Sequence, residues 1–271
     1  MSELLNTIRE RRSVRTYDGR GLSSEDLTKL MLYSDGITNP FDVPVRFVFL
    51  GASRELSCPV LVGEKLYVAG VVEKGPNMEA AFGYAFEKLV LYAWKEGIGT
   101  VWIGGTMNRE AFEKACKLKE NEIRPCITPI GYAAERMSVR ESLMRKGVKA
   151  DTRKRAEELF FEQTFATPLP LAAAAEPWLP DLFKMVRLAP SAVNKQPWRI
   201  LHRDGAYHFL EKKDKGYVSD AVGDMQKIDV GIALCHFVEG LKEQGIQPEV
   251  SVEAPGFELT DDMEYVATVR F

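Results

Sequence analysis

The chain has 271 residues, 45% of them hydrophobic, which is enough for one large domain or two small ones with buried cores. Lysine and arginine total 36 against 39 acidic residues, and the formal charge of -3 gives no global argument for binding nucleic acid or an anionic membrane. The opening MSELLNTIRERR is charged where a secretory signal needs an apolar core, and no apolar run approaches the roughly 20 residues that span a bilayer. We therefore expect a cytoplasmic protein with no membrane partner.

The chain begins with two helical patterns and a strand. Leu4, Leu5 and Ile8 are spaced as on one helix face within residues 2–12, and Ser23 before acidic residues is typical of the start of a second helix through LTKLMLY. The polar loop SDGITNPFDVP follows. VRFVFL then predicts a buried strand rich in Val and Phe.

A long helix is predicted next, in MEAAFGYAFEKLVLYAWKEG. It is apolar on most faces, which predicts a central position, and it ends at Gly97. TVWI predicts a short strand closed by Gly104 and Gly105. REAFEKACKL and CITPIGYA then predict a further helix and a further strand.

Cysteine and histidine give no pattern of a metal site or a disulfide framework. There is no C-x-x-C and no histidine at metal-ligand spacing, so we expect reduced thiols at Cys58, Cys116, Cys126 and Cys235. His208 alternates within a strand pattern and His236 lies on an apolar helical stretch, which favours packing roles for both.

The second half of the chain repeats the plan of the first. A shift of 155 positions lays LTKLMLYSDGITN over LFKMVRLAPSAVN and matches Asn39 with Asn194, and a shift of 148 lays YAFEKLVLYAWKEGIG over IALCHFVEGLKEQGIQ. We interpret this as an ancient duplication, with a boundary between 1–155 and 156–271 and the two halves packed about a pseudo-twofold axis. Two unrelated helix-loop-strand units are the alternative.

Two basic segments stand out from the balanced composition. The segment 136–155 fits a solvated linker, a nucleic-acid contact or a phosphate clamp, although nucleic-acid binding also calls for interleaved aromatics, which are absent. In RERRSVR, the sequence Arg11, Arg12, Ser13 suits phosphate oxygens because arginine presents a fork of donors. A solvent-exposed helix face would show the same pattern.

The duplication makes these segments more informative. RRSVR falls over the uncharged ATPLP of the second half, whereas the loop APSAVNKQPW has the counterpart SDGITNPFDVP, which lacks its Ala-Pro-Ser start and Gln-Pro-Trp end. Each half keeps what the other lacks. A ligand site built from the arginines of one half and the loop of the other therefore predicts one ligand per chain.

These motifs together resemble the FMN-dependent nitroreductase superfamily, in particular its branch with two half-domains fused in one chain. The resemblance rests on Arg-Arg-Ser-x-Arg, on Ala-Pro-Ser-Ala-x-Asn-x-Gln-Pro-Trp after a helix, and on Gly-Ile-Gly-Thr-Val-Trp-Ile-Gly after a buried helix. It implies an α+β fold with a mostly antiparallel sheet flanked by helices, two similar halves forming a pseudo-dimer, and FMN at their interface. It covers about residues 8–237 and is weakest at 55–78 and after 245.

The resemblance also implies roles for single residues. Arg11, Arg12 and Ser13 would hold the phosphate and the flavin edge, and Arg153, with Lys154, would return to the phosphate. The flavin would be lined from the second half by Pro190, Ser191, Ala192 and Asn194, with Gln196 near its polar edge. Trp102, Ile103, Gly104 and Gly105 would run along the ring, with a backbone N–H near Gly105 within reach of the reactive nitrogen. Many relatives carry an acidic residue where this chain has Gly104.

The implied activity is reduction of a small-molecule electron acceptor by NAD(P)H, with FMN carrying the chemistry in a ping-pong sequence and no side chain as catalyst. The absence of G-x-G-x-x-G after a strand agrees with NAD(P)H reaching an open flavin face. Two alternatives stay open: a protein that holds flavin without turnover, and a phosphate or nucleic-acid binder that uses both basic segments. The duplication favours a monomer.

Overall fold

The computed structural model of the chain describes residues 2–174 and 176–271. The first half contains five helices and four strands: α1 (Glu3–Glu10), α2 (Ser24–Asp35), β1 (Val45–Gly51), β2 (Leu66–Glu73), α3 (Met78–Lys95), α4 (Arg109–Cys116), β3 (Glu122–Ile123), β4 (Ile127–Ile130) and α5 (Val139–Gly147). The Ser23 side chain caps α2 by accepting a hydrogen bond from the Asp26 N–H, as its sequence predicts. In this half β2 pairs antiparallel with β1, β3 and β4.

The second half forms a larger sheet. Its elements are β5 (Phe160–Glu162), β6 (Thr164–Pro168), α6 (Leu179–Leu188), β7 (Trp198–Arg203), β8 (Ala206–Lys212), β9 (Val218–Ser219), β10 (Gly223–Asp224), α7 (Met225–Glu243), β11 (Glu249–Ser251) and β12 (Met263–Arg270). Six strands join in the order β11-β12-β8-β7-β5-β6, and every pair is antiparallel except β5 with β7. The predicted mostly antiparallel α+β fold is thereby confirmed.

The long helices α3 and α7 pack against each other at the centre of the molecule. A Cβ added at Gly83 would lie 2.0 Å from the Ile228 carbonyl oxygen, and one added at Gly231 would lie 2.2 Å from the Ala80 carbonyl oxygen. Neither position tolerates a side chain at this approach. Gly83 and Gly231 are counterparts under the shift of 148, so the same contact is made once from each side, as two similar halves require.

The remaining elements follow the predicted repeat. α2, β1 and β2 correspond in order to α6, β7 and β8, and α3 corresponds to α7. Leu5 and Ile8 of α1 pack with Met185 of α6, in the other half, and with Leu91 of α3. The boundary between 155 and 156 stays a prediction. The strand predicted for TVWI is wrong in detail. Thr100 forms an isolated bridge with Ser13, and Gly99 and Ile103 form isolated bridges along the β4 segment, so this stretch is extended without being a regular strand.

Two histidines have the packing roles that their positions predict. His208 is buried in β8 and contacts the Thr268 hydroxyl at 2.8 Å, and His236 is buried in α7. All four cysteines are free and buried. Across residues 2–174 and 176–271 there is no group of three or more His, Cys, Asp or Glu placed to hold a metal ion. No helix within these ranges is long and apolar enough to cross a membrane.

Candidate functional site

Two of the predicted phosphate-binding arginines, Arg11 at the C-terminal end of α1 and Arg153 in the basic segment, lie close enough for the charge of one to affect the other. Arg11 follows the helix directly, and its Nε and Nη2 atoms are buried with no hydrogen-bond partner in the described chain; the same holds for Nε of Arg153. Burial lowers the pKa of both guanidinium groups; the charge of Arg11 adds to the effect at Arg153, and that of Glu87 opposes it at Arg11. Buried donors without acceptors are rare in native proteins. The free N–H groups of this pair could therefore bind an anion, which would supply the acceptors that the chain lacks.

The other two residues of the arginine motif lie in different surroundings. The Arg12 guanidinium contacts the Glu141 carboxylate of α5 at 3.4 Å, and Glu141 also accepts a hydrogen bond of 2.8 Å from the Thr16 hydroxyl. Ser13 forms an isolated backbone bridge with Thr100. The basic segment 136–155 is therefore not a plain solvated linker, since α5 docks on the first half through a buried carboxylate.

The predicted loop of the second half has an irregular backbone between α6 and β7. Val193, Asn194 and Gln196 all have left-handed φ angles, at 42°, 59° and 52°. Asparagine adopts this region readily, but a β-branched valine there is strained by about 1–3 kcal/mol. Such strain in a half-exposed loop is typical of functional sites. Inside the loop, the Ser191 hydroxyl accepts a hydrogen bond of 2.9 Å from the Gln196 N–H.

Asn194 and Gln196 connect this loop to the basic segment. The Asn194 amide donates to the carbonyl oxygens of Lys149 and Thr152 at 2.8 and 3.0 Å, and its oxygen lies 3.4 Å from Nη1 of Arg153. The buried Gln196 accepts a hydrogen bond of 2.8 Å from the Lys154 N–H. Four polar contacts thus hold the segment around Arg153 beside the loop, and one of them involves the Arg153 side chain itself.

The predicted ring-lining stretch is attached to the central helices through a buried polar chain. The indole N–H of Trp102 donates to Glu87 of α3 at 2.9 Å. The other oxygen of Glu87 lies 3.1 Å from Nε2 of His236, whose Nδ1 lies 2.8 Å from the Met185 carbonyl oxygen. Because a carbonyl only accepts, Nδ1 of His236 carries a proton. Burial lowers the pKa of Arg11 and the Glu87 charge opposes this shift, so Glu87 lies near Arg11 as well as bonding Trp102. We call Arg11 and Arg153 together the arginine corner.

Asp229 of α7 joins the loop to the same stretch from the opposite side. Both of its carboxylate oxygens accept from the Ala192 N–H, at 3.0 and 3.1 Å. Burial raises the pKa of Asp229 well above its ordinary value, although the Ala192 hydrogen bond opposes the shift. Near this stretch, burial raises the pKa of the Cys126 thiol to about 12, with a smaller contribution from Asp229, and the Cys126 sulfur would lie 3.6 Å from a Cβ added at Gly104. A Cβ at Gly105 would meet nothing within 4 Å, so the surface there is open.

The structure therefore connects Arg11, Arg153, the 189–197 loop and the Trp102–Gly105 stretch around the central helix pair. Sequence reasoning missed the two residues that make these connections, Glu87 and Asp229. A signal was present, because each is a carboxylate inside an otherwise apolar helix, in AFEKLVLY and KIDVGIAL. Two surface cavities of about 200 and 400 Å³ lie elsewhere, beside Trp178 and beside Phe165, and contain none of the predicted site residues.

A protein-family model described as "Putative TM nitroreductase" matches residues 3–240. The chain is similar to a putative nitroreductase from Thermotoga maritima, with 18% identity, a TM-score of 0.64, and coverage of 99% of this chain and 93% of the other. About half of it, 51%, is similar to a putative NADH dehydrogenase/NAD(P)H nitroreductase from Bacteroides thetaiotaomicron, with 23% identity, a TM-score of 0.44 and 90% of that chain covered. A nitroreductase with bound FMN from Bacteroides fragilis gives 20% identity, a TM-score of 0.43, and coverage of 51% and 92%. No curated protein matches.

Proposed function

We propose that this chain, which belongs to the nitroreductase family described as "Putative TM nitroreductase", is an FMN-dependent oxidoreductase that uses NAD(P)H to reduce nitro, quinone or similar small-molecule acceptors. The observation that carries the proposal is the pair of buried guanidinium groups at Arg11 and Arg153, which have unpartnered donors beside the 189–197 loop. A phosphate dianion would supply acceptors to both.

The remaining residues fit a flat ring beside that phosphate. Gly104 and Gly105 let the backbone approach a ring closely, since no Cβ stands in the way at the open Gly105. Ala192 offers a small side chain to a ring face. Its N–H is held by Asp229, so the backbone of the loop is fixed before a ligand arrives. Lys154, Pro190 and Ser191 complete the set that we assign to the cofactor, together with Arg12, Ser13, Trp102, Ile103, Asn194 and Gln196.

The protein's part in the reaction is binding and orientation. When bound, FMN would supply the redox chemistry, accepting a hydride from NAD(P)H and returning two electrons to the acceptor. Arg11 and Arg153 would neutralise the phosphate, and the Gly105 N–H would donate to the ring near its reactive nitrogen. Trp102 is held by Glu87, and Ala192 is held by Asp229. These contacts would fix the positions of the two sides of the flavin site, the Trp102–Gly105 stretch and the 189–197 loop.

The test is the absorption spectrum of the purified protein, followed by anaerobic addition of NADH or NADPH. We expect a flavin spectrum, or uptake of added FMN, and bleaching of the flavin band by at least one nicotinamide. A nitroaromatic or quinone should then restore the band. Bound flavin that neither nicotinamide reduces would favour the alternative of a flavin-binding protein without turnover, and failure to take up FMN would contradict the proposal.

We also propose that the protein works as a monomer in the cytoplasm, without nucleic acid as a partner. The internal interface between α3 and α7 provides within one chain the packing that two copies would otherwise provide. Light scattering at working concentration tests this: a mass near the chain's 30.5 kDa is expected, and twice that mass would contradict it.

A further inference from the structure

The side chain of Arg109, at the start of α4, joins three backbone segments next to the glycine pair. Its Nη2 atom donates to the Gly104 carbonyl oxygen at 2.6 Å. Its Nη1 atom donates to the carbonyl oxygens of Arg124 and Ala221, both at 3.2 Å. Ala221 belongs to the second half of the chain, so one guanidinium group ties the Gly104 carbonyl to both halves.

This contact determines where the next N–H points. The peptide bond between Gly104 and Gly105 is trans and planar, so its C=O and N–H point in opposite directions. With the oxygen held by Arg109, the Gly105 N–H is directed away from the Arg109 guanidinium group. It makes no hydrogen bond within the described chain, and a Cβ at Gly105 would meet nothing within 4 Å. Gly105 therefore carries a free N–H donor at a residue whose Cβ side is open.

The neighbouring contacts leave this peptide little freedom to rotate. Ile103 and Ile127 exchange two backbone hydrogen bonds of 2.9 Å immediately before Gly104. A Cβ added at Gly104 would lie 3.1 Å from Cε of Met225, so that side is already packed. Without Arg109, the Gly104 carbonyl would lose the only charged donor that it contacts within the described residues, and the flanking glycines would allow the peptide to turn over.

We propose that Arg109 is a positioning residue that holds the Gly104–Gly105 peptide with its N–H aimed at the reactive nitrogen (N5) of the flavin. The inference rests on the proposed function and explains how a chain with glycine at this edge keeps a fixed donor there. A cation bonded to the carbonyl oxygen also polarises the peptide, so the Gly105 N–H becomes a stronger donor.

The experiment compares Arg109→Met and Arg109→Lys with Lys114→Met, which removes an exposed cation from the same helix. Each protein is loaded with FMN labelled with ¹⁵N at N5. The ¹⁵N chemical shift reports the hydrogen bond directly, and anaerobic stopped-flow gives the rate of flavin reduction by the active nicotinamide. FMN affinity is measured in parallel by fluorescence.

We expect Arg109→Met to move the N5 shift toward that of a nitrogen without a donor and to slow flavin reduction roughly 10- to 100-fold, because a mispositioned or lost donor costs rate rather than affinity. FMN affinity should stay within about threefold, since the phosphate contacts are untouched. Arg109→Lys keeps a cation near Gly104 and should give intermediate values. Lys114→Met should match the parent protein.

If Arg109→Met binds FMN with the parent's N5 shift and the parent's reduction rate, the inference is wrong while the proposed function stands. If Arg109→Met does not fold, Arg109→Lys decides: a parental N5 shift together with a parental rate overturns the inference, and a shifted resonance with a slower rate supports it. A parent protein that takes up no FMN would overturn both the proposed function and this inference.

Discussion

The loops after α2 and after α6 occupy equivalent places in the two halves, and each contains an asparagine at the matched position. Asn39 bonds within its own loop: its amide donates to the Val43 carbonyl oxygen at 2.6 Å, and its oxygen accepts from the Phe41 N–H at 3.1 Å. Asn194 instead reaches the Lys149 and Thr152 carbonyl oxygens, more than forty positions away. The Asn39 loop is thus stabilised within itself, whereas the Asn194 loop is tied to a distant segment, and we propose that only the latter is part of the flavin site.

The central helices α3 and α7 differ from each other in a similar way. Under the shift of 148, Glu87 of α3 corresponds to Cys235, and Asp229 of α7 corresponds to Ala81. Each helix thus carries one buried carboxylate that its counterpart lacks. Glu87 bonds Trp102 and Asp229 bonds Ala192, so the two helices contact different parts of the proposed site. The two helices occupy equivalent places in the two halves, but each carries its buried carboxylate at a different position.

The largest effect is expected at Arg11, whose counterpart in the second half is uncharged. Arg11→Met should weaken FMN binding roughly 100-fold, because hydrogen bonds to charged groups contribute about 1.5–3 kcal/mol. The free energy of unfolding of the FMN-free protein should not fall, since a buried cation with unpartnered donors is removed. Fluorescence titration and urea unfolding measure the two quantities.

Arg20→Met is the matched control for Arg11, because Arg20 is exposed and pairs with Asp18 at the surface. It should change neither FMN affinity nor stability by a measurable amount. If Arg11→Met bound FMN with the parent's affinity, Arg11 would not be part of the FMN site. A large loss of stability without FMN would assign Arg11 a purely structural role.

The two matched asparagines provide the second test of the difference between the halves. Asn194→Ala should lower FMN affinity roughly tenfold, because Arg153 loses its support and a net hydrogen bond is worth about 1 kcal/mol. Asn39→Ala should leave FMN affinity unchanged and lower the free energy of unfolding by about 1 kcal/mol. Equal FMN affinities in the two variants would mean that the loops do not differ in function.

The smallest expected effect is on the pH dependence of stability through Asp229. Burial raises the pKa of Asp229 in the folded protein above that in the unfolded chain, so the folded state binds the proton more tightly. The contribution of Asp229 to the free energy of unfolding therefore becomes less favourable as the pH rises above about 4. Asp229→Asn should match the parent near that pH and become progressively more stable than the parent toward pH 8.

Urea unfolding of the FMN-free proteins at pH 5 and pH 8 measures this difference. The control is Asp220→Asn, which changes an exposed carboxyl and should give the same difference from the parent at both values. A parent that exceeds Asp229→Asn in stability more at pH 8 than at pH 5 would mean that folding lowers the pKa of Asp229 and would contradict this prediction.

Local patterns predicted much of the fold. The apolar periodicity of α3 and α7 indicated central helices, and Ser23 and Gly97 indicated where helices begin and end. The exception, TVWI, has a strand-like composition, but its backbone forms only isolated bridges, to the Ser13 segment on one side and to the β4 segment on the other. Regular pairing depends on a neighbouring strand in register, which composition cannot specify.

The sequence predicted the site less completely, because its connections are long-range. Arg153 and Asn194 are 41 positions apart, and Glu87 and His236 are 149 apart. The motifs predicted which residues lie close together, but they did not predict the hydrogen bonds that hold those residues in position. Arg109 gave no signal at all, since an arginine in the first turn of a helix is an ordinary surface pattern.

The central claim of the proposed function is that residues from both halves form a single flavin site. The measurement is the molar ratio of FMN to chain after saturation with FMN and removal of the excess, with flavin determined by absorption after denaturation and protein by amino-acid analysis. We predict one FMN per chain. A ratio of two would mean that each half carries its own site, and a ratio of zero would mean that the arginine corner serves another anion; either result would contradict the account.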